Sequence, residues 1–351
     1  MNNGKLSLSV IGTVGVPAVY GGFESLVDNL LDGAPGTVDV YCSSKAYEIK
    51  LSNYKGANLV YIPLKANGIS SVFYDVLCML HCLFTKPKTV LILGVSGCIF
   101  LPLFSFFSNA KIVTNIDGLE WKRDKWSHLV KRFLKFSEKL AVRYSDVIIS
   151  DNKAIYDYVL SEYDVYSEII AYGGDHALND HQNENDDKKY SLALCRIEPE
   201  NNVEMILEAF SKINKKLVFI GNWNNSFFGK QVKAKYSVFN NIELLDPIYD
   251  MDKLFYIRSS CSNYIHGHSA GGTNPSLVEM MHFSKPIYCF DCSYNRATTD
   301  NLAVYFNSAG ELSKLLNDNS VECTGEDMLR IAKERYTWNI IRKKYYDLVF
   351  Y

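Results

Sequence analysis

The stretch HGHSAGGTNPSLVEMM, residues 266–281, brings together two histidines, two adjacent glycines, a Thr-Asn-Pro-Ser turn and one carboxylate. Asn274 suits an N-cap and Pro275 the first helical position, where its missing N–H costs nothing, so a short helix over 276–283 follows. On this reading the amides of Ser276, Leu277 and Val278 point unpaired out of the helix start, where the helix dipole favours negative charge. Such an end suits a phosphate. Glu279 falls on the same helical face as Pro275, one turn deeper, where a carboxylate would repel phosphate but can accept hydrogen bonds from hydroxyls. Gly271 and Gly272 permit close approach to the backbone. An ordinary loop feeding a helix uses the same residue types, so the rest of the chain must decide.

A chain of 351 residues is long enough for two domains of ordinary size. Its 48% hydrophobic and 22% charged residues match a soluble globular protein, and a net charge of −2 argues against a general nucleic-acid binder. Nine scattered cysteines and an N-terminus without signal-peptide order point to a reducing cytoplasm. The pair in CFDC, Cys289 and Cys292, lacks a second pair for zinc and is not expected to open a helix after a strand, so buried thiols are expected. The segment from Thr89 to Phe107 approaches the length of a spanning helix, yet Gly94, Gly97 and Pro102 interrupt it. It reads as a buried strand over 89–93, a glycine turn and a buried apolar helix.

Apolar β-type runs recur at 6–12, 38–42, 58–63, 89–94, 111–116, 146–150 and 168–172, with helical patterns between several of them. Strands alternating with helices imply a parallel, doubly wound α/β sheet. Residues 1–175 are expected as one Rossmann-like domain and 190–330 as a second, joined by a polar linker over 176–189, with a helix over 331–351 packing back across both. In such sheets ligands bind beyond the carboxyl ends of the strands.

Gly21, Gly22 and Glu24, an arginine after the first strand of the second half (Arg196), and the glycine-rich turn into the helix bearing Glu279 resemble nucleotide-sugar glycosyltransferases of family 4, which have the GT-B fold. More narrowly, GTVGVPAVYGGFESLVDNL, NIDGLEWKRDKWS, RIEPENNVEMILEAF and YIHGHSAGGTNPSLVEMM resemble the bacterial rhamnosyltransferases of that family that build capsule and O-antigen repeats. The resemblance implies two Rossmann-like domains facing each other across a cleft, and transfer with retention from a nucleotide-sugar donor, dTDP-L-rhamnose, to a lipid-linked saccharide acceptor without a metal or other cofactor. It places the donor diphosphate on Gly21, Gly22 and the helix from Asn274, with Arg196 neutralising it and Glu279 binding the sugar ring of the nucleotide. Two positions depart from the family pattern. Gly271 stands where a first glutamate is usual, and Asn201 stands where a lysine often follows the arginine, leaving His266, His268 and backbone dipoles to compensate.

The donor set is therefore expected to comprise Gly21, Gly22, Arg196, His266, His268, Gly271, Gly272, Thr273, Asn274, Ser276, Leu277 and Glu279. Asp117 is expected at the end of a strand, orienting the acceptor hydroxyl or the donor sugar; with Glu24, Glu120, Lys122 and Arg123 it forms the expected acceptor set, and with Arg196 and Glu279 the catalytic set. A turn aspartate before Gly118 is the alternative role for Asp117. No metal site is expected, because no carboxylate or third ligand is suitably spaced from the histidines. Residues 121–143 mix Trp and Phe with Lys and Arg, the pattern of a basic helix at an anionic membrane, and imply a cytoplasmic protein held peripherally on the inner face of the cell membrane. A nucleotide-sugar 2-epimerase and a non-catalytic nucleotide-sugar-binding scaffold are the other functions that fit.

Overall fold

In the computed structural model, which describes residues 6–18, 21–123, 126–179, 190–318 and 323–351, the apolar runs become the strands of two units, Met1–Tyr172 with Trp338–Tyr351, and Gly173–Thr337. The first unit runs β1 (Ser7–Ile11), α1 (Gly22–Leu30), β2 (Thr37–Ser43), β3 (Asn53–Tyr54), β4 (Ala57–Ile62), α2 (Ser70–Thr85), β5 (Thr89–Leu93), α3 (Leu101–Phe107), β6 (Lys111–Asn115), α4 (His128–Tyr144), β7 (Val147–Ser150), α5 (Lys153–Tyr163) and β8 (Glu168–Ile169). Its strands lie in the order β3-β4-β2-β1-β5-β6-β7-β8. All pairings are parallel except the hairpin of β3 with β4. Every residue of β5 is buried, as expected of a strand in a parallel sheet covered on both faces.

The second unit repeats the plan: β9 (Tyr190–Leu194), α6 (Val203–Ser211), β10 (Lys216–Ile220), α7 (Phe227–Tyr236), β11 (Ile242–Leu245), α8 (Met251–Ser260), β12 (Asn263–His266), α9 (Pro275–Met281), β13 (Ile287–Phe290), α10 (Ser293–Thr298), β14 (Val304–Phe306), α11 (Ala309–Asn317) and α12 (Gly325–Arg335). The sheet order β11-β10-β9-β12-β13-β14 is all parallel and reverses direction between β9 and β12. That reversal creates a crevice at the carboxyl ends of these two strands, where ligands of doubly wound sheets bind. The core beneath is built on Phe210, Phe219, Trp223, Ile265 and Phe306. The Trp223 ring meets Phe219 edge-on at 5.1 Å, and its Nε1–H donates to the Leu245 carbonyl at 2.9 Å.

Three segments differ from the sequence expectation. Residues 331–351 are not one helix: the backbone leaves helical geometry at Tyr336 (φ −123°, ψ 32°), where the buried ring donates through its hydroxyl to the Thr298 carbonyl. The remaining piece, α13 (Trp338–Val349), belongs to the first unit, where Tyr345 Oη accepts from Asn115 Nδ2 at 2.7 Å and Tyr346 Oη donates to the Leu30 carbonyl at 2.7 Å. The helix after the glycine turn, α3, is buried only at Leu101 and Phe104, because a single layer of helix covers the sheet and the other side of α3 faces outward. Finally, CFDC does open a helix after a strand, with Cys292 capping α10 directly beyond β13. Burial pushes both thiols up, so they are protonated rather than reactive. A short 3-10 turn, Asp175–Ala177, spans the expected start of the linker at 176, and 180–189 lies outside the described residues. Among the described residues no helix is long and apolar enough to cross a membrane.

Replacing Trp223 by Ala removes a fully buried indole and the hydrogen bond that ties β10 to β11, and should lower the stability of the second unit by about 3–5 kcal/mol. Urea denaturation followed by tryptophan-independent circular dichroism measures it; a loss below about 1 kcal/mol, the scale of a surface substitution, contradicts this packing.

Candidate functional site

At the switch point of the second unit, the turn after β9 and the loop after β12 are tied together by a buried amide. Asn201 donates from Nδ2 to the Arg196 carbonyl at 2.7 Å, and its Oδ1 accepts from His268 Nδ1 at 2.6 Å. Since an amide oxygen can only accept, Nδ1 of His268 carries the proton. Asn202 Nδ2 donates to the Gly267 carbonyl at 2.8 Å, and the Ser269 amide and hydroxyl both donate to the Glu200 carbonyl. Gly267 is required by this fit: a Cβ there would lie 2.2 Å from the Asn201 carbonyl oxygen. From the other side, Asn295 Nδ2 donates to the His268 carbonyl at 2.8 Å. The position where family 4 often has a lysine is thus a structural bridge in this chain.

His266 ends β12, buried, and among the described residues neither ring nitrogen has a hydrogen-bond partner. Burial, reinforced by His268, pushes its pKa well below the usual histidine range. It is therefore a neutral imidazole that can donate one hydrogen bond, and it does not replace the missing lysine charge. A buried polar group without a partner calls for an explanation, and a ligand at this loop supplies one.

The start of α9 is closed, contrary to the sequence expectation. Asn274 does cap it, but its Oδ1 accepts from both the amide (3.0 Å) and hydroxyl (2.8 Å) of Ser276, and its carbonyl accepts from the amides of Leu277 (3.0 Å) and Val278 (3.3 Å). The Ser276 hydroxyl also accepts from Tyr264 Oη, while Leu277 points into the core and Thr273 is buried. What remains open is the preceding turn: among the described residues, the amides of Gly271 and Gly272 donate to no protein acceptor. Gly271 has φ 121°, a conformation that residues with a side chain rarely adopt. The unpaired amides therefore lie in the glycine pair rather than at the helix end.

Glu279 on α9 is gripped on both oxygens. Arg258 of α8 donates to Oε2 from Nη2, and His176 Nε2 lies 3.4 Å from Oε1. Burial alone would raise the pKa of this carboxyl, but Arg258 and His176 more than offset it and hold it below the usual carboxylate range. Glu279 is accordingly a fixed anion with lone pairs left to accept from hydroxyls. Arg196 follows β9 half exposed, and among the described residues it makes only a long 3.9 Å approach to Glu198, so its guanidinium is available to an anion.

In the first unit, Gly21 (φ 135°) precedes α1, which begins at Gly22. Glu24 is buried and spends Oε1 on Thr13 Oγ1 (3.0 Å) and the Val14 amide (2.8 Å), so it braces the turn after β1 rather than presenting a free carboxylate to an acceptor. A Cβ on Gly21 would strike Glu24 Oε2 at 1.8 Å. Asp117, past β6, takes φ 58°, with its amide donating to Asn115 Oδ1 at 2.8 Å and Tyr172 Oη 3.4 Å from its Oδ1. An aspartate held in the left-handed region at a strand end is a strained conformation typical of functional positions. Glu120 pairs with Arg123 at 3.0 Å and accepts from Trp126 Nε1 at 2.9 Å, whereas Lys122 lies over the Trp121 ring at 5.5 Å. Among the described residues no group of three or more His, Cys, Asp or Glu is placed to hold a metal. Arg258 and His176 were not anticipated from sequence: each is distant in the chain from Glu279 and sits in no motif.

Comparison with known proteins places this geometry in context. Residues 176–318 match the family described as "Glycosyl transferases group 1", and residues 6–175 match "Domain of unknown function (DUF1972)". Sucrose-phosphate synthase from Thermosynechococcus elongatus is similar in structure, with a TM-score of 0.78 at 12% identity over 98% of each chain. Anabaena HepE, solved with UDP and glucose, gives 0.73 at 12% identity over 98% of this chain and 99% of that one. A glycosyltransferase from Rickettsia africae gives 0.70 at 12% identity over 99% and 98%. The fold is GT-B. None of the curated proteins matches the chain significantly.

The Glu279 environment makes a pH-dependent prediction. A carboxyl whose folded pKa lies below its unfolded value of 4.5 contributes stability that is present above that value and lost as pH falls through the folded pKa. Replacing Arg258 by Ala leaves Glu279 buried without its cation and should cost about 3–5 kcal/mol at pH 7. Protonation of Glu279 relieves the penalty, so the gap between wild type and variant should shrink below pH 5. A gap independent of pH in denaturation experiments refutes the pairing.

Proposed function

We propose that this protein is a retaining glycosyltransferase that moves L-rhamnose from dTDP-L-rhamnose onto a lipid-linked oligosaccharide in capsule or O-antigen synthesis, working at the inner face of the cell membrane. The observation that carries the transferase reading is the fixed carboxylate of Glu279 on α9 together with the unpaired amides of Gly271 and Gly272 in the turn before that helix, at the switch point of a unit matching the group 1 glycosyltransferases. In this reading the glycine amides, Arg196 and neutral His266 hold the donor diphosphate, and Glu279 accepts from a hydroxyl of the nucleotide sugar ring. The bond between anomeric carbon and diphosphate oxygen breaks, and the nucleoside diphosphate leaves with the electron pair. The acceptor oxygen bonds to the same face of that carbon, and its proton passes to the departing phosphate.

The protein's contribution in that scheme is electrostatic: donors already in place stabilise the charge that develops on the leaving group. In the first unit, Asp117 would orient the acceptor hydroxyl, with Lys122 and Arg123 nearby for the acceptor. Transfer from a UDP-hexose is the second reading, favoured by the likeness to HepE, whose structure contains UDP and glucose.

A thermal-shift and donor-hydrolysis screen of the purified chain against dTDP-rhamnose, UDP-glucose, UDP-GlcNAc and GDP-mannose should give its strongest response with dTDP-rhamnose. A response to GDP-mannose alone overturns the donor assignment. Arg196→Ala should lower kcat about 100-fold, the scale of losing one donor to a developing anion, and a variant with wild-type turnover removes Arg196 from the mechanism.

A further inference from the structure

The helices α2, α3 and α4 each connect a strand to a parallel strand in the same direction along the first sheet, so right-handed crossovers place them on one face. There α3 packs against both of its neighbours. The outward surface of α2 and α3 exposes no Asp, Glu, Lys or Arg. In α2, SSVFYDVLCMLHCLFT, the only acidic or basic residues are Asp75 and His81, and Asp75 is buried, with desolvation pushing its carboxyl up to about 8. In α3, LPLFSFF, there are none. Large apolar side chains take their place: Phe73 (65% exposed) and Phe84 (83%) share a stripe of α2 with Leu77, and α3 exposes Phe106 (80%), Phe107 (68%) and Leu103.

Monomers rarely leave so contiguous an apolar surface to water. Beside it, α4 exposes Leu129 and Phe136 together with Arg132, Lys139 and Arg143, none of which forms an ion pair among the described residues. A groove of about 600 Å³ on α4 is lined by His128, Lys131, Arg132, Lys135 and Lys139 over Trp121, Phe136 and Tyr163, with one acid, Glu162, that pairs with Lys135 at 3.0 Å. At sixteen residues α2 is about 24 Å long, too short to cross a bilayer.

We propose that this face seats the protein on an anionic lipid bilayer, with α2 and α3 lying in the interface, Phe73, Phe84, Phe106 and Phe107 below the headgroups, and the α4 cations on lipid phosphates. Charge complementarity selects the lipid as occupant, since pairing this face with the same face of a second copy would bring like α4 cations together. The inference rests on the lipid-linked acceptor reading and relocates the inserting element from α4 to α2 and α3.

Flotation of the purified full chain with phosphatidylcholine vesicles, with and without phosphatidylglycerol, tests it. Wild type should float with the anionic vesicles, and both Phe106→Ser/Phe107→Ser and Arg132→Glu/Lys139→Glu should bind roughly tenfold more weakly. Because all four residues are exposed, melting midpoints and donor hydrolysis should stay at wild-type values. Absence of wild-type flotation, undiminished flotation of the Phe pair, or a wild-type dimer that Phe106→Ser/Phe107→Ser dissolves each overturns the proposal. Donor hydrolysis separates the two readings: lost docking with intact hydrolysis sinks only the surface assignment, and flotation without hydrolysis sinks only the enzyme.

Discussion

The second unit depends on one buried amide. Parallel strands that diverge at a switch point leave their following loops without a sheet to hold them, and Asn201 closes that gap by donating to the β9 turn and accepting from the β12 loop. A lysine here would add charge but could not accept from His268 Nδ1. The amide therefore serves rigidity rather than charge. Gly267 completes it, because only a residue without Cβ lets the two backbones approach this closely.

Rigidity has an electrostatic counterpart. The buried Arg258 keeps Glu279 ionised in surroundings that would otherwise protonate it, while His266, in similar surroundings but without a partner, is kept neutral. Two groups on adjacent elements are thus driven to opposite protonation behaviour by one difference, the presence of a fixed counter-charge. A site so arranged presents an acceptor and a neutral donor in set places, with mobile positive charge supplied by the half-exposed Arg196. Preorganised polarity of this kind is useful where a ligand must be oriented before its charge changes.

The alternation of strands and helices was legible because uninterrupted apolar runs bounded by glycine and polar turns leave few alternatives. Asn274 was legible as a cap, but not the consequence that its side chain and carbonyl close the amides it exposes; capping types are a local signal, whereas which donors remain open depends on loop geometry. The charge state of His266 was invisible, since burial is not written in the residue type. The partner of Glu279 lies on α8, whose pattern carries no motif, and ion pairs between distant elements leave no periodicity to read. The break at Tyr336 lacks a glycine or proline and is enforced by the buried ring and its hydrogen bond to Thr298. The exposed face of α3 was mistaken for core because a charge-free helix reads the same whether protein or something else covers it.

The assignment of α13 to the first unit bears on how the chain is made. Asn115 and Leu30 find their partners in Tyr345 and Tyr346, which are translated after the whole of the second unit. Synthesis therefore finishes every element of the later unit while the earlier one still lacks a helix that packs on its sheet, and completion of the first unit awaits translation of α13.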